Sequence, residues 1–369
     1  MAEKQKFALF PITDRSIPIA RFLNEHSQNY QIVALISFQD IEFCGFDGAA
    51  ADLGKELGLP VFSSIESSAD LWDGLIVADE ESITNLRLKD EKHICLLMQE
   101  AIERGKTVIC SREISETSKL KLKRLADNKH VEFRYLYKNK PELSTVGGRL
   151  ERLNAFYAAF GSVIGDASSL TVVSKCFEQL DTKCRVSVVS TDINAELYGA
   201  HSIYHILHSN LSEAAKIYAI NSYMKSIEQK EKPTIVLVLM LEPLVEYSET
   251  VPNDFGIIPF LLSKAIPTDF LECSVPYDLC NAAFIINMSD GIEKQNGYPV
   301  DAVHFSNVVV DYTLVDEQDL ISAAYIPTSQ IKERIPGNTD SLPCVVFDWT
   351  DDEGIKRLVS HIENGLQNN

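Results

Sequence analysis

Short apolar runs alternate with helix-patterned stretches along this chain, and that alternation constrains the fold more than any other feature. Lys6–Ile12 (KFALFPI), Tyr30–Ser37 (YQIVALIS), Leu59–Phe62, Asp73–Asp79 (DGLIVAD), Lys106–Ser111 (KTVICS) and Val131–Tyr137 read as strands. Between them, Ser16–Ser27, Gly48–Gly58, Asp90–Gly105 and Ser115–Asn128 carry helical spacing or helix-ending glycines. Strands joined through helices need βαβ crossovers and so build a parallel sheet. Residues 1–140 are therefore expected to form a Rossmann-like domain.

The alternation resumes after residue 151. Strands are expected at Arg152–Phe160, Cys184–Thr191, Thr234–Leu241, Phe270–Val275, within Val300–Val310, at Leu320–Pro327 and at Cys344–Trp349. Helices are expected at Ser169–Leu180, Asn210–Lys230, Asp254–Ala265 and Asp351–Leu366. Thr234–Leu241 is apolar on both faces, which suits a central strand. Residues 141–151 hold Pro141 and Gly147-Gly148 and read as a linker, which leaves 152–369 as a second α/β domain.

Charge and cysteine usage exclude several classes. The net charge is −19, which opposes non-specific contact with nucleic acid or anionic membrane. The apolar run near the N-terminus is too short for a signal peptide, and no window is apolar enough to span a membrane, so a cytoplasmic protein is expected. Eight cysteines without a C-x-x-C pair read as small buried hydrophobes, not as a zinc or iron–sulfur site. The charge is uneven. Residues 146–369 hold 30 acidic and 15 basic side chains, whereas Lys119–Lys140 holds eight basic against two acidic. Lys119, Lys121, Lys123, Arg124, Lys129 and Arg134 are candidates for docking an acidic partner, although a solvated helix face would look the same.

The loop Gly161–Ser168 (GSVIGDAS), between a strand and a helix, sits where a P-loop would. A P-loop needs G-x-x-x-x-G-K-[ST], with backbone N–H groups cradling phosphate and lysine neutralising it. Here Gly161 and Gly165 are four apart, Asp166 holds the lysine position and Ala167 the magnesium-binding one. A carboxylate there repels phosphate, so nucleotide binding is doubtful. Gly161, Ser162, Gly165, Ser168 and Ser169 remain as weak anion-binding candidates, with Ser168 and Ser169 as helix caps. The first crossover turn, Phe10–Ser16 (FPITDRS), has no glycine and so no dinucleotide fingerprint. His201, His205 and His208 would share a stripe if helical, making His201 and His205 a weak metal pair. Acids at Asp79–Glu81 and Asp348–Glu353 fall after strands and read as caps. No G-x-S-x-G elbow is present, but a triad assembled from distant residues would not be visible.

Several segments together resemble a family of bacterial peptide maturation system proteins, associated with bacteriocin-like precursor peptides and radical-SAM modifying enzymes. They are Phe10–Phe22 (FPITDRSIPIARF), Cys44-Gly45, Ala195–Ser202 (AELYGAHS), Asn253–Ala265 (NDFGIIPFLLSKA) and His304–Asn307 (HFSN). The resemblance implies two α/β domains, Rossmann-like and then P-loop-like. It also implies an accessory, non-catalytic role in maturing a ribosomally synthesised peptide, with the precursor peptide or the modifying enzyme as partner. Two departures argue against a nucleotide: the missing lysine near Asp166, and Leu241-Glu242-Pro243-Leu244 where a Pro-Gly-Gly-like turn would match. Alternatives are an atypical ATP- or GTP-binding enzyme of the same pathway and a small-molecule-binding regulator.

Overall fold

The computed structural model describes residues 4–27, 29–37, 43–79, 91–136, 149–246, 254–310, 323–333 and 342–368. The chain divides into two units, residues 1–138 with 196–198, and residues 139–195 with 199–369. Most of the linker candidate, Glu80, Glu81, Lys138 and Lys140 lie outside the described residues.

Unit 1 is a six-stranded parallel sheet of β1 (Gln5–Phe10), β2 (Tyr30–Ile36), β3 (Val61–Phe62), β4 (Gly74–Val77), β5 (Thr107–Cys110) and β6 (Phe133–Tyr135). The strand order is β3-β2-β1-β4-β5-β6, so the chain reverses direction across the sheet at β1. Among the described residues three helices cross over: α1 (Ser16–His26), α2 (Glu91–Glu103) and α3 (Glu116–Lys129). Ala8, Phe10, Leu75, Val77, Val108 and Cys110 are fully buried in the sheet. The helix expected at Gly48–Gly58 is a single 3-10 turn, Gly48–Ala51. Asp47 explains the difference, because its carboxylate takes the N–H groups of Ala49, Leu57 and Leu59 at 2.9–3.0 Å. Those bonds hold the segment as a folded-back loop.

Unit 2 has a seven-stranded parallel sheet in the order β15-β12-β11-β7-β10-β8-β9. Its strands are β7 (Phe156–Ser162), β8 (Val186–Ser190), β9 (His201–Ser202), β10 (Ile235–Pro243), β11 (Phe270–Val275), β12 (Ala302–Phe305) and β15 (Val345–Val346). β13 (Val308–Val310) and β14 (Ala323–Tyr325) form a separate antiparallel pair. The helices among the described residues are α4 (Ser168–Asp181), α5 (Tyr204–Leu207), α6 (Glu213–Glu231), α7 (Ile257–Ala265), α8 (Ala282–Asn296) and α9 (Asp352–Asn368). Two parallel sheets with Rossmann-like crossovers are the fold class expected from the alternation. As expected, β10 is an interior strand, paired with β7 on one side and β8 on the other, and β7 is the middle of the seven.

β7 begins four residues later than expected. The carboxylate of Glu228 takes the N–H groups of Asn154 and Ala155 at 2.6 and 2.8 Å, which fixes those residues outside the sheet. The sequence reading missed α8. Its buried face, Ile285, Met288, Ile292 and Asn296, has helical spacing, but Gly291 and the run Asn287–Asp290 weaken the pattern.

Candidate functional site

Three neighbouring strands of unit 2 carry polar side chains where a buried strand ordinarily carries apolar ones. The parallel register pairs Ser162 of β7 with Ser274 of β11, and Ser274 with His304 of β12. Paired residues in a sheet share a face, so these three line up side by side. Glu272, two residues before Ser274, lies on the same face. The first turn of α4 places Ser168 against this row, and Asp166 precedes it. Ser162, Asp166, Glu272, Ser274 and His304 have no exposure, and Ser168 retains 8%.

The hydrogen bonds fix most of the protons. Ser162 Oγ accepts from the N–H groups of Ile164, Gly165 and Asp166 at 3.2, 2.8 and 2.9 Å. Its own proton therefore goes to Asp166 Oδ2, 2.8 Å away. Ser274 Oγ donates to the same oxygen at 2.8 Å. Asp166 Oδ1 accepts from Ser168 N at 2.9 Å and from Ser168 Oγ. With its proton committed to Asp166, Ser168 Oγ accepts from His304 Nε2 at 2.8 Å, so Nε2 carries a hydrogen. One further proton is shared between His304 Nδ1 and Glu272 Oε1, 2.6 Å apart. Burial pushes the Glu272 carboxyl up, the neighbouring His304 pulls it down and the charge of Asp166 adds to the rise, with a net upward shift. Among the described residues Glu272 Oε2 has no hydrogen-bond partner, which also favours the neutral acid. The phenyl ring of Phe347 and the indole of Trp349 flank the imidazole of His304 at 5.6 and 5.8 Å.

The N–H groups that would cradle a phosphate are bonded to Ser162 Oγ, and the anion at the head of α4 is the chain's own Asp166. Gly165 has φ +79°, and a Cβ there would lie 2.7 Å from the carbonyl oxygen of Leu241, so the turn requires glycine. At Gly161, in β7, a Cβ would lie 2.7 Å from the Leu244 side chain. Ser168 and Ser169 are not caps as expected. Ala167 holds the cap position, Ser168 Oγ joins the cluster, and Ser169 Oγ donates to the Gly161 carbonyl at 3.0 Å. Packing against the sheet draws both hydroxyls away from the helix end.

The matching turn of unit 1 is filled differently. Thr13 N donates to Ser16 Oγ at 2.8 Å, and Ser16 N donates to Thr13 Oγ1 at 3.1 Å. The two hydroxyls thus take each other's backbone N–H at the head of α1, beside the buried carboxylate of Asp14.

The basic island is partly dispersed. Lys119 pairs with Glu116 at 3.2 Å and lies over the Tyr135 ring, and Arg134 donates to Tyr30 on the sheet. Lys121, Lys123, Arg124 and Lys129 are exposed. Lys121 and Arg124, with Leu120, Leu125 and Gln99, line an open groove of about 570 Å³ between α2 and α3. Leu120 is 53% exposed there, an apolar side chain beside two cations. Glu91, at the start of α2, accepts from the hydroxyls of Ser115 and Ser118 at 2.7 Å each and so pins the two helix starts together. These hydroxyls hold its carboxyl below the ordinary range.

The histidine stripe does not form. His201 lies in β9 and His205 in the four-residue α5, because β9 pairs with β8 and ends the helical path. His201 Nε2 meets Glu231 Oε1 at 2.7 Å, and no metal-binding group of three exists among the described residues. Asp348 and Asp351 accept from nearby backbone N–H groups and act as turn acids, as expected. The eight cysteines are free thiols. Cys110, Cys176 and Cys273 are wholly buried, and burial pushes Cys110 up to about 12 and the other two up as well. No helix among the described residues is long and apolar enough to cross a membrane.

No known family profile matches the sequence, and no curated protein matches it. Among solved structures, a DUF1611 family protein from Anabaena variabilis aligns with 99% of this chain and 100% of its own, at 11% identity and TM-score 0.55. A GTPase in apo form from Pyrococcus abyssi aligns over 57% of this chain and 97% of its own, at 12% identity and TM-score 0.33. Homoserine dehydrogenase from S. aureus aligns over 36% of this chain and 33% of its own, at 11% identity and TM-score 0.27. The first likeness extends the fold over essentially the whole chain and carries no activity with it.

Proposed function

We propose that this chain is an accessory protein of a peptide-modification system that engages an acidic precursor peptide or modifying enzyme through unit 1. The observation that carries the reading is the groove between α2 and α3, where Lys121 and Arg124 flank exposed Leu120. Apolar contact with a charged rim is the usual make-up of a peptide-docking groove. The rest of the chain is strongly acidic, so this basic stripe is the surface toward which an acidic partner would be steered.

The test is binding of the neighbouring genes' products to the full chain, read by fluorescence anisotropy across a salt series. Binding should weaken at higher salt, and the K121E/R124E double variant should lose about tenfold or more. Partner binding that ignores both the salt and the double variant would remove the groove from the reading. Recovery of no neighbour product at all would remove the pathway role. The nucleotide alternative is disfavoured by the filled loop at Asp166. Calorimetry with ATP or GTP and magnesium at millimolar concentration should show no heat of binding.

A further inference from the structure

A helix start needs only a cap. In unit 1 the Thr13 and Ser16 hydroxyls cap the head of α1, beside the buried Asp14. Unit 2 sets two buried carboxylates and an imidazole behind the equivalent position, and one carboxylate oxygen, Oε2 of Glu272, has no hydrogen-bond partner among the described residues. Buried ionisable groups beyond what packing requires cost stability, and they concentrate where chemistry is done.

We propose that Ser168 is a nucleophile for acyl transfer, attacking an ester, thioester or similarly activated acyl group, with Asp166 as its proton acceptor. His304 and Glu272 act as positioning residues. Three observations carry this. Asp166 Oδ1 is in direct contact with Ser168 Oγ, so a base already holds the hydroxyl proton. His304 Nε2 approaches the same oxygen at 2.8 Å, and Glu272 fixes the ring from behind at 2.6 Å. Ser168 begins the 14-residue α4 at the C-terminal end of β7, where open parallel sheets receive ligands, and it alone in the cluster keeps exposure.

The charge balance favours the step. As Ser168 Oγ bonds to the acyl carbon, its proton passes to Asp166 Oδ1 and the carbonyl electron pair moves onto oxygen. The negative charge shifts from Asp166 to the oxyanion and stays near the N-terminus of α4, whose dipole favours an anion there. When the oxyanion collapses, the bond to the leaving group breaks and Asp166 returns the proton to it. Ser168 is left as the ester and Asp166 as the carboxylate. An incoming water, amine or hydroxyl then takes the acyl group by the reverse sequence, passing its proton through Asp166 to Ser168. This chemistry departs from the non-catalytic role that the family resemblance implies, and it is independent of partner docking in unit 1.

The experiment treats the full-length protein with 4-nitrophenyl acetate and, separately, with a fluorophosphonate, and reads intact and fragment mass spectra. One adduct is expected, within the tryptic peptide Leu153–Lys175 and located at Ser168. S168A should lose it and S169A should keep it. D166N should slow labelling by about 10²–10³-fold, the ordinary worth of a general base. H304Q should retain the adduct but change the pH dependence of labelling, which a packing defect alone would not do. Circular dichroism establishes that each variant is folded. Should D166N not fold, the S168A and S169A pair still decides the matter, because the adduct must vanish in S168A and persist in S169A. A folded wild type that takes no adduct at millimolar probe overturns the proposal, as does an adduct that S168A retains.

Discussion

The starts of α1 and α4 occupy the same place in their respective sheets, each following the strand from which the first crossover leaves. In many parallel-sheet proteins such a turn holds a phosphate. Here both are filled from within, by unlike means. The α1 turn uses a reciprocal pair of hydroxyls, Thr13 and Ser16, with the buried Asp14 between them in sequence. The α4 turn uses a carboxylate that accepts four hydrogen bonds, with an imidazole and a second carboxylate behind it. A hydroxyl cap satisfies donors locally. An internal anion commits two strands and a helix to its solvation.

That difference should appear first as a difference in cost. Asp166→Ala leaves three buried hydroxyls and one N–H without their acceptor, and it should destabilise unit 2 by about 4 kcal/mol. The chain offers a reporter in each unit, because its two tryptophans are Trp72 in unit 1 and Trp349 in unit 2. Urea unfolding followed in W72F and W349F backgrounds would show whether the loss is confined to unit 2. A loss no larger than that of the Thr13 variant below would erase the contrast.

Gly165→Ala comes next, at about 2–3 kcal/mol, because it strains a left-handed residue and presses a methyl on the Leu241 carbonyl. It should act on unit 2 alone. Glu272→Gln should cost less, about 1–2 kcal/mol, and its signature is pH dependence. The folded carboxyl is raised above its unfolded value, so its contribution is complete below the ordinary glutamate range and is lost as pH rises through the folded value. Wild-type unit 2 should therefore weaken on the alkaline side, and E272Q should flatten that arm of a melting-temperature series. Thr13→Ala should cost least, about 1 kcal/mol, with no pH dependence of its own.

Much of the architecture was legible from pattern. Doubly apolar runs such as Ile235–Leu241 marked the strands, and the helix expected to end at Gly105 marked a crossover, whereas the one expected to end at Gly58 is a folded-back loop. The cluster itself was not legible as a motif. Ser168 lies 106 residues from Ser274 and 136 from His304, and only strand register brings them together. A weaker signal was present. Ser162, Glu272, Ser274 and His304 are polar residues inside otherwise apolar strands, and Glu272 and Ser274 are two apart and so share a face. Spacing could not reveal whether such residues face one another, because the order β12-β11-β7 is set by packing of the whole sheet. The histidine stripe failed for the converse reason. Its spacing was right for a helix, but pairing of β9 with β8 took His201 into the sheet.

The buried thiols give each unit its own clock. Cys110 belongs to unit 1, and Cys176 and Cys273 belong to unit 2. Burial keeps all three protonated and out of reach, so a thiol-alkylating reagent can modify them only when the surrounding core opens. The alkylation rate at each site thus counts openings of its own unit, and peptide mapping would separate the two counts in one unmutated sample. A partner seated on unit 1 should slow the Cys110 clock, while an acyl adduct on Ser168 would register at Cys176, eight positions further along the chain.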